Sequence, residues 1–403
     1  MNIQHNRILI FILIFSIIIP INIYAENRNQ NIIVIVIDCL RADRLSCYGY
    51  AKNTSPAIDA LAAEGILFNR AVAPGSNTLL SFASLFTSLY PLRHGVTAFN
   101  KCLSDTTLTF PEIFQKYGFK TAFFGGGPLL DKIYGLSRGF DLYEYSQNAS
   151  FNDSLPAALK WIRQNYYTNQ NFFAIIHGND LHVPYSYPDE TGFSDSYKNI
   201  FKNLTLSGSD FARLYNKIIY DDSNAIKYKL NNKEVSYLSD KYDQGITYID
   251  RRTGEFIEQL KKDNILGNTV LVITADHGEG LFDHKWFYHD YILYDSVTHV
   301  PLIIKFPMGV FEPAVIYNDI NLIDLLPTLL ESAGGVVPDK IDGNSFFGAL
   351  KDTSLFNNNY SLSATPFSTG FTTTPIFSAS TDFLVIRYSL SPGEFTTMRR
   401  ARA

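Results

Sequence analysis

Residues 31–38 have the sequence N-I-I-V-I-V-I-D. After Asn31, every residue up to Ile37 is β-branched. A continuous run of this kind is typical of a strand buried on both faces of a parallel sheet. In open α/β sheets, ligands bind beyond the carboxyl ends of the strands. The stretch therefore predicts a parallel sheet with Asp38 at its functional edge.

Outward from this strand, the chain alternates between strand and helix patterns. Ser55 and Pro56 carry the signals of an N-cap and a first helical residue. Further strands are predicted at 120–124, 171–176, 269–274, 300–306 and 383–390, and helices at 55–64, 79–89, 110–117, 242–260 and 322–333. The alternation predicts an α/β protein, with a mostly parallel central sheet sandwiched by helices.

Changes in composition divide the chain. The α/β pattern predicts one catalytic domain over 30–350, and a polar Asn/Tyr/Lys-rich stretch at 190–240 indicates an insertion. From 355 to 403 the composition becomes rich in Ser and Thr, which predicts a small, abbreviated C-terminal α+β subdomain.

The first 25 residues have the pattern of a secretory signal peptide. Arg7 precedes an apolar run at 8–19, Pro20 breaks it, and Ala25 offers a small residue for cleavage. We therefore expect export to the periplasm or the extracellular space, with an uncleaved membrane anchor as the alternative. No later segment is long and apolar enough to span a bilayer, so none is expected after cleavage.

Composition excludes several classes of protein. The 403 residues are 46% hydrophobic, which argues against intrinsic disorder. A net charge of -5 gives no electrostatic basis for binding nucleic acid. Three cysteines at 39, 47 and 102 match neither a disulfide scaffold nor a thiolate zinc cluster. A globular enzyme or binding protein remains.

Acids and imidazoles follow several predicted strands. Asp38 follows the first strand, Asp276 and His277 follow 269–274, and His182 lies shortly after 171–176. Carboxylate oxygens and neutral imidazoles are ligands for divalent cations. The pattern predicts one bound cation, either Ca²⁺, Mg²⁺, Mn²⁺ or Zn²⁺.

Seven stretches, in this order, resemble the sulfatase family of the alkaline-phosphatase superfamily from about residue 30 to 350. They are N-I-I-V-I-V-I-D-C-L-R-A-D-R-L-S-C-Y-G-Y (31–50), S-P-A-I-D-A-L-A-A-E-G-I-L-F-N-R-A-V-A (55–73), A-S-L-F-T-S-L-Y-P-L-R-H-G-V (83–96), G-L-S-R-G-F-D (135–141), H-G-N-D-L-H-V-P-Y (177–185), I-T-A-D-H-G-E-G-L-F-D-H (273–284) and L-Y-D-S-V-T-H-V-P-L-I-I (293–304).

The resemblance implies roles for matching positions. Asp38, Asp276 and His277 correspond to metal ligands of the family. The family often has a second acid directly after the first, and here that position is Cys39. The resemblance therefore implies a metal site in which one oxygen ligand is missing or replaced by a softer one.

For the substrate, the resemblance implies three further residues. His182 corresponds to the histidine that contacts the ester near its leaving group. His289 corresponds to a basic group that holds the anionic oxygens. Asn100 is expected to line the same site.

The nucleophile departs from the family pattern. Sulfatases carry a C/S-x-P-x-R element whose first residue becomes formylglycine, and here the element reads T-L-L-S-F at 78–82. No formylglycine is expected at Thr78, because its β-carbon bears a methyl group. A metal-activated Thr78, itself a metal ligand, is the expected nucleophile, with Ser76 or Ser81 as alternatives.

Two positive charges usual in the family are also absent. Phe82 stands at the arginine position and Gly125–Gly127 where many sulfatases place a lysine. A site with fewer cations suits a singly charged sulfate monoester or phosphodiester.

Three functions follow from these departures. The first is hydrolysis of sulfate esters or related phosphoesters, on an anionic substrate such as a sulfated glycan or envelope lipid. The second is a phosphoethanolamine/phosphoglycerol-type transferase or a phosphodiesterase acting on envelope glycans or lipids. The third is a non-catalytic binding protein.

Overall fold

The structure is a computed structural model that describes residues 30–183, 185, 232–284, 287–290, 292–356, 361–363, 384–389 and 395–401. The predicted signal peptide and most of the predicted insertion lie outside these ranges, as does much of the C-terminal subdomain. Within them, no helix has both the length and the apolar character needed to cross a membrane.

Fourteen strands are described, numbered here in chain order. They are β1 (Asn31–Ile37), β2 (Ile66–Phe68), β3 (Ala71–Val72), β4 (Lys120–Gly126), β5 (Leu142–Ser146), β6 (Phe172–Gly178), β7 (Thr269–Thr274), β8 (His299–Val300), β9 (Leu302–Lys305), β10 (Ala314–Ile316), β11 (Ile320–Asn321), β12 (Ser361–Ser363), β13 (Leu384–Ser389) and β14 (Phe395–Ala401).

The described α-helices are numbered in the same way. They are α1 (Pro56–Glu64), α2 (Thr78–Thr87), α3 (Pro91–His94), α4 (Phe110–Lys116), α5 (Phe151–Tyr167), α6 (Asn232–Lys262), α7 (Asp295–Thr298), α8 (Leu325–Ser332) and α9 (Phe347–Lys351). Short 3-10 helices lie at Ala42–Arg44, Ser46–Tyr48, Pro128–Leu130, Lys132–Tyr134, Leu266–Asn268, Leu322–Asp324 and Thr353–Leu355.

An eight-stranded sheet forms the centre of the fold, in the order β10-β2-β9-β7-β1-β6-β4-β5. Neighbouring strands are parallel except at β9, which is antiparallel to both β7 and β2. Helices flank this sheet, and α5 packs on β4 and β6 through Trp161, whose ring contacts Phe124 and Phe172. The predicted α/β class with a mostly parallel central sheet is therefore confirmed.

Strand β1 lies in the middle of the sheet, between β6 and β7. Ile35 pairs with Ile176 on one side and with Ile273 on the other, and all three side chains are buried. This position explains why the strand has no polar face. It also brings the carboxyl ends of β1, β6 and β7 together, where the polar residues follow.

Two smaller sheets accompany the main one. One has the order β11-β3-β8, and the other is the antiparallel set β12-β13-β14. Ser363 in β12 donates a hydrogen bond from its hydroxyl to the carbonyl of Ala73, directly after β3. The first strand of this sheet, β12, is thus hydrogen-bonded to the segment that follows β3.

The predicted strand over 300–306 is wrong in one respect, because Pro301 divides it in two. Proline has no N–H to donate to a neighbouring strand. Residues 299–300 pair in the small sheet with β3, whereas 302–305 join the large sheet beside β7. The Pro301 carbonyl accepts a hydrogen bond from the Thr274 hydroxyl, which fixes the crossing point.

The start of α1 differs from the sequence prediction in the side chain that caps the helix. Ser55 is the N-cap residue as predicted, but its side chain makes no capping bond and donates instead to Asp59 Oδ1. The backbone N–H groups of Ala57 and Ile58 donate to the Asp250 carboxylate at 3.0 and 2.8 Å. A distant acid on α6 therefore caps this helix.

Replacing Asp250 with alanine is expected to lower the free energy of unfolding by about 1–2 kcal/mol, since two N–H groups lose their acceptor. Urea denaturation at pH 8 measures the change; burial raises the pKa of Asp250 to about 6, so the carboxylate is ionised there. Glu255→Ala on the same helix removes surface ion pairs with Arg251 and Arg252 and should cost under about 0.5 kcal/mol. Equal losses in both variants would contradict the capping role.

Candidate active site

The candidate site begins where β1 ends. Asp38 is 2% exposed, and its N–H donates to the carbonyl of Gly178, the last residue of β6. The chain then turns at Cys39, which has a left-handed φ of 61°. The turn directs two successive buried side chains beyond the edge of the sheet.

Asp276 and His277, which follow β7, meet Asp38 at this edge. His277 Nε2 lies 3.5 Å from Asp38 Oδ1 and 3.4 Å from Asp276 Oδ2. Ligand atoms of the three residues all lie within 4.8 Å of one another, and all three are buried. The predicted convergence of these residues is confirmed.

Electrostatics at this cluster favour a cation. Burial, and then the neighbouring Asp276 charge, raise the pKa of Asp38 well above its usual value. Asp276 Oδ2 makes no hydrogen bond to any described residue. Two crowded, buried carboxylates are costly without a positive partner, and a divalent ion supplies one. These residues therefore fit the divalent metal ion that the resemblance to sulfatases implies.

The ring of His277 is oriented for the same purpose. Its Nδ1 lies 2.9 Å from the carbonyl oxygen of Gly278, which can only accept, so Nδ1 carries the proton. The lone pair of Nε2 then points at the two carboxylates. A backbone acceptor that fixes the tautomer in this way is common behind metal-binding histidines.

Thr78 is the first residue of α2, and its Oγ1 lies 3.4 Å from His277 Nε2. Asn77 is the N-cap, and its side chain accepts a hydrogen bond from the N–H of Leu80. The hydroxyl of Thr78 thus lies at the positive end of a buried ten-residue helix, next to the acid cluster.

The two alternative nucleophiles are placed differently. Ser81 Oγ donates to the carbonyl of Gly75 at 3.2 Å, which ties the loop before α2 to the helix. Ser76 is fully buried in that loop. The Thr78 hydroxyl, by comparison, lies 3.4 Å from His277, which forms a cluster with Asp38 and Asp276.

His289 lies directly over His277, with ring centroids 4.2 Å apart. Its Nδ1 lies 3.2 Å from Glu279 Oε1 and 3.6 Å from Cys39 Sγ. Burial, and then the nearby imidazoles His277 and His182, lower the pKa of His289 well below its usual value. The neutral form of this imidazole is therefore favoured.

His182 lies beside His289, with ring centroids 5.3 Å apart. Its Nδ1 lies 2.8 Å from the Val183 carbonyl and so carries a proton, while Nε2 lies 3.4 Å from the hydroxyl of Tyr288. Burial lowers the pKa of His182. Nε2 is thus the atom through which this ring can exchange protons.

Asn100, by contrast, has no described contact with the cluster. It lies exposed in the turn after α3. Its role at the site stays a prediction.

Three residues outside the predicted set of site residues also surround the cluster. Glu279 holds His289, Tyr288 faces His182, and His177 Nε2 lies 4.0 Å from Asp38 Oδ2. His177 and Glu279 belong to the quoted stretches 177–185 and 273–284, so their positions directly after strands were an available signal. Tyr288 lies in an irregular loop at a φ of 80°, where no periodic pattern points to it.

At Phe82 and Gly125, where the usual positive charges of the family are absent, the chain packs closely around His177. The Phe82 ring packs edge-on against His177, with centroids 5.2 Å apart. A Cβ at Gly125 would lie 2.7 Å from the Cβ of His177. Arg41 is turned away, toward Asp43 and Asp283 at 2.7 and 2.6 Å. No described lysine or arginine pairs with the acid cluster.

The sequence and the fold are similar to those of known sulfatases and of a phosphonate monoester hydrolase. The sequence is 24% identical to arylsulfatase K of Xenopus laevis, over 87% of this chain and 72% of that protein. It is 22% identical to the N-acetylglucosamine-6-O-sulfatase of Bacteroides thetaiotaomicron, over 81% and 72%. The fold matches phosphonate monoester hydrolase of Agrobacterium radiobacter with a TM-score of 0.67 at 18% identity, over 84% and 80%.

A family model described as Sulfatase matches residues 30–336, which is most of the chain. The protein is therefore a hydrolase of the class that acts on sulfuric or phosphoric ester bonds. Within that class it belongs to the sulfatase family of the alkaline-phosphatase superfamily. The family is metal-dependent, and the cluster of Asp38, Asp276 and His277 supplies candidate ligands.

Proposed function

We propose that this protein hydrolyses sulfate esters with Thr78 as the nucleophile and with one divalent cation held by Asp38, Thr78, Asp276 and His277. The observation that carries the proposal is the 3.4 Å distance between Thr78 Oγ1 and His277 Nε2, at the point where two buried carboxylates converge. A bound cation would supply Lewis acidity, which favours the ionised form of a neighbouring hydroxyl.

The proposed reaction has two steps. In the first, Thr78 Oγ1 releases its proton to solvent and bonds to the sulfur, the ester S–O bond breaks, and the leaving oxygen takes a proton that His182 has accepted from solvent at Nε2. In the second, water attacks the sulfur, the Thr78 S–O bond breaks, and the threonine hydroxyl is restored. His289 binds a sulfate oxygen, and Asn100 lines the cleft.

Thr78 replaces the formylglycine of other sulfatases in this proposal. Oxidation of threonine would give a ketone rather than an aldehyde, so the residue keeps its hydroxyl. The start of α2 compensates in part, because its positive end lies at the reacting oxygen and favours negative charge there.

The proposed substrate is a sulfated glycan with a single negative charge at the reacting group. Support comes from the name of the Bacteroides thetaiotaomicron relative, an N-acetylglucosamine-6-O-sulfatase. The lack of a described lysine or arginine against the cluster supports a monoanionic ester over a dianionic phosphate monoester. An exported protein fits such a substrate, and we propose export through residues 1–25.

Phosphoryl chemistry is the second candidate. A threonine nucleophile suits a phosphodiesterase or a phosphoethanolamine/phosphoglycerol-type transferase acting on envelope glycans or lipids, and the phosphonate monoester hydrolase has a similar fold. A binding protein without catalysis is the third candidate, and the aligned Thr78 hydroxyl argues against it.

A panel of chromogenic substrates tests these candidates. The metal-loaded protein is expected to cleave a sulfate monoester faster than a phosphodiester, and both much faster than a phosphate monoester. The ratios of kcat/KM measure this order. A dominant rate on the phosphodiester would favour the second candidate, and no turnover of any probe would favour the third.

A further inference from the structure

We infer that Cys39 is a sulfur ligand at the metal centre, and that the centre therefore takes a thiophilic divalent cation of the zinc class. This inference rests on the proposed function only in placing a cation at this cluster. It assigns a role to a side chain that stands where sulfatases often have a second acid.

The first support is a second group of potential ligands. Cys39 Sγ, His277 and His289 offer ligand atoms that all lie within 4.8 Å of one another, and all three residues are buried. His277 belongs to this group and to the group formed with Asp38 and Asp276. One cation next to His277 can thus be reached by oxygen, nitrogen and sulfur.

The second support is the set of distances. Tetrahedral zinc with Zn–S of about 2.3 Å and Zn–N and Zn–O of about 2.1 Å places S and N ligand atoms about 3.5 Å apart, and N and O about 3.4 Å. His277 Nε2 lies 3.5 Å from Asp38 Oδ1 and 3.4 Å from Asp276 Oδ2, and Cys39 Sγ lies 3.1 Å from Asp38 Oδ1. The cluster already has the spacing of such a site.

The third support is the backbone at Cys39. A left-handed φ of 61° is unfavourable for a residue with a Cβ, and a glycine would adopt it freely. The turn is held by Tyr242, whose hydroxyl donates to the Cys39 carbonyl at 2.6 Å and accepts from the N–H of Arg41 at 2.9 Å. The protein thus keeps a side chain at a strained position and points its sulfur at the cluster.

The ligand chemistry selects among cations. Ca²⁺ and Mg²⁺ prefer sites made of oxygen, whereas thiolate and imidazole favour Zn²⁺ and similar ions. Cys39 Sγ lies 3.1 Å from Asp38 Oδ1, the arrangement of a thiol that donates to a carboxylate. When the sulfur binds a cation, the thiol proton is released to solvent and this hydrogen bond is lost.

The test uses the full chain, stripped of metal and loaded with Zn²⁺, Cd²⁺ or Mg²⁺. X-ray absorption of the zinc form should show one sulfur neighbour at about 2.3 Å. The cadmium form should show thiolate-to-metal charge-transfer absorption at one ion per chain. A zinc shell of nitrogen and oxygen alone would overturn the inference without the need for any variant.

Variants of the three cysteines identify which one supplies the sulfur ligand. Cys39→Ser should lose the charge-transfer band and bind Zn²⁺ at least about tenfold more weakly, while Cys39→Asp should shift the preference toward Mg²⁺. Cys47→Ser and Cys102→Ser are the matched controls and should keep the band. A band that survives Cys39→Ser, or disappears in either control, would contradict the inference.

The same measurements separate this inference from the proposed function. Thr78→Ala should keep the band while losing turnover. A protein that has the band but cleaves no sulfate ester would refute the function alone. A protein that cleaves sulfate esters without a sulfur ligand would refute the inference alone.

Discussion

Thr78→Ala is expected to reduce kcat/KM for the best sulfate ester by at least about 10³-fold, because it removes the proposed nucleophile, the hydroxyl that lies 3.4 Å from His277 Nε2. The alanine fits the first turn of α2, where the N-cap bond from Leu80 to Asn77 stays in place. The thermal unfolding midpoint should therefore remain close to that of the unchanged protein, and Asp38, Asp276 and His277 should still bind the metal, with a lower affinity because one proposed ligand is lost.

Two variants make this result specific. Thr78→Ser keeps a hydroxyl at the same position and should retain part of the rate. Ser81→Ala, one turn further along α2, loses only a bond to the Gly75 carbonyl and should change the rate by less than about tenfold. A nearly normal rate in Thr78→Ala, or a collapse in Ser81→Ala, would show that the nucleophile lies elsewhere.

Asp276→Asn is the second large expected effect, with a loss of at least about 10³-fold in kcat/KM and a large loss of metal affinity. The amide oxygen can replace Asp276 Oδ1, which accepts from the N–H groups of His277 and Cys39. The amide nitrogen then occupies the Oδ2 position and turns two N–H donors toward the cation. Calorimetric titration with metal and steady-state kinetics measure the two losses.

The metal-free form of this variant should be at least as stable as the unchanged protein. The Asp276 charge helps to raise the pKa of Asp38, so the two acids oppose each other when no cation is present. Asp283→Asn, which instead removes a partner of Arg41, is the control and should leave metal affinity nearly unchanged. A clear loss of metal-free stability in Asp276→Asn would identify the cluster as a structural network instead.

The sequence was most informative where one physical rule governed a whole segment. The β-branched strands at 31–37 and 269–274 have the predicted bounds, because central strands tolerate little else on either face. The strand predicted over 300–306, by contrast, is divided at Pro301, which has no N–H to donate to a neighbouring strand. The cap of α1 depended on Asp250, a residue nearly 200 positions away, which local patterns do not reveal.

The candidate site shows the same division. Asp38, Asp276 and His277 could be predicted because each directly follows a strand, and the sheet order brings those strand ends together. The partner of His182 could not, because Tyr288 lies in an irregular loop, whereas Glu279, the partner of His289, belongs to a quoted stretch. Cys39 was visible as a substitution, but its left-handed turn and its distance to His289 required coordinates.

The close approach of β4 to β6 constrains how this site can evolve. A lysine at Gly125, the first residue of the Gly125–Gly127 run, would have its Cβ 2.7 Å from the Cβ of His177 and 3.0 Å from the His177 carbonyl oxygen. An arginine at position 82 would displace the ring that covers the same histidine. A positive charge at either of these two positions therefore requires His177 or its surroundings to shift.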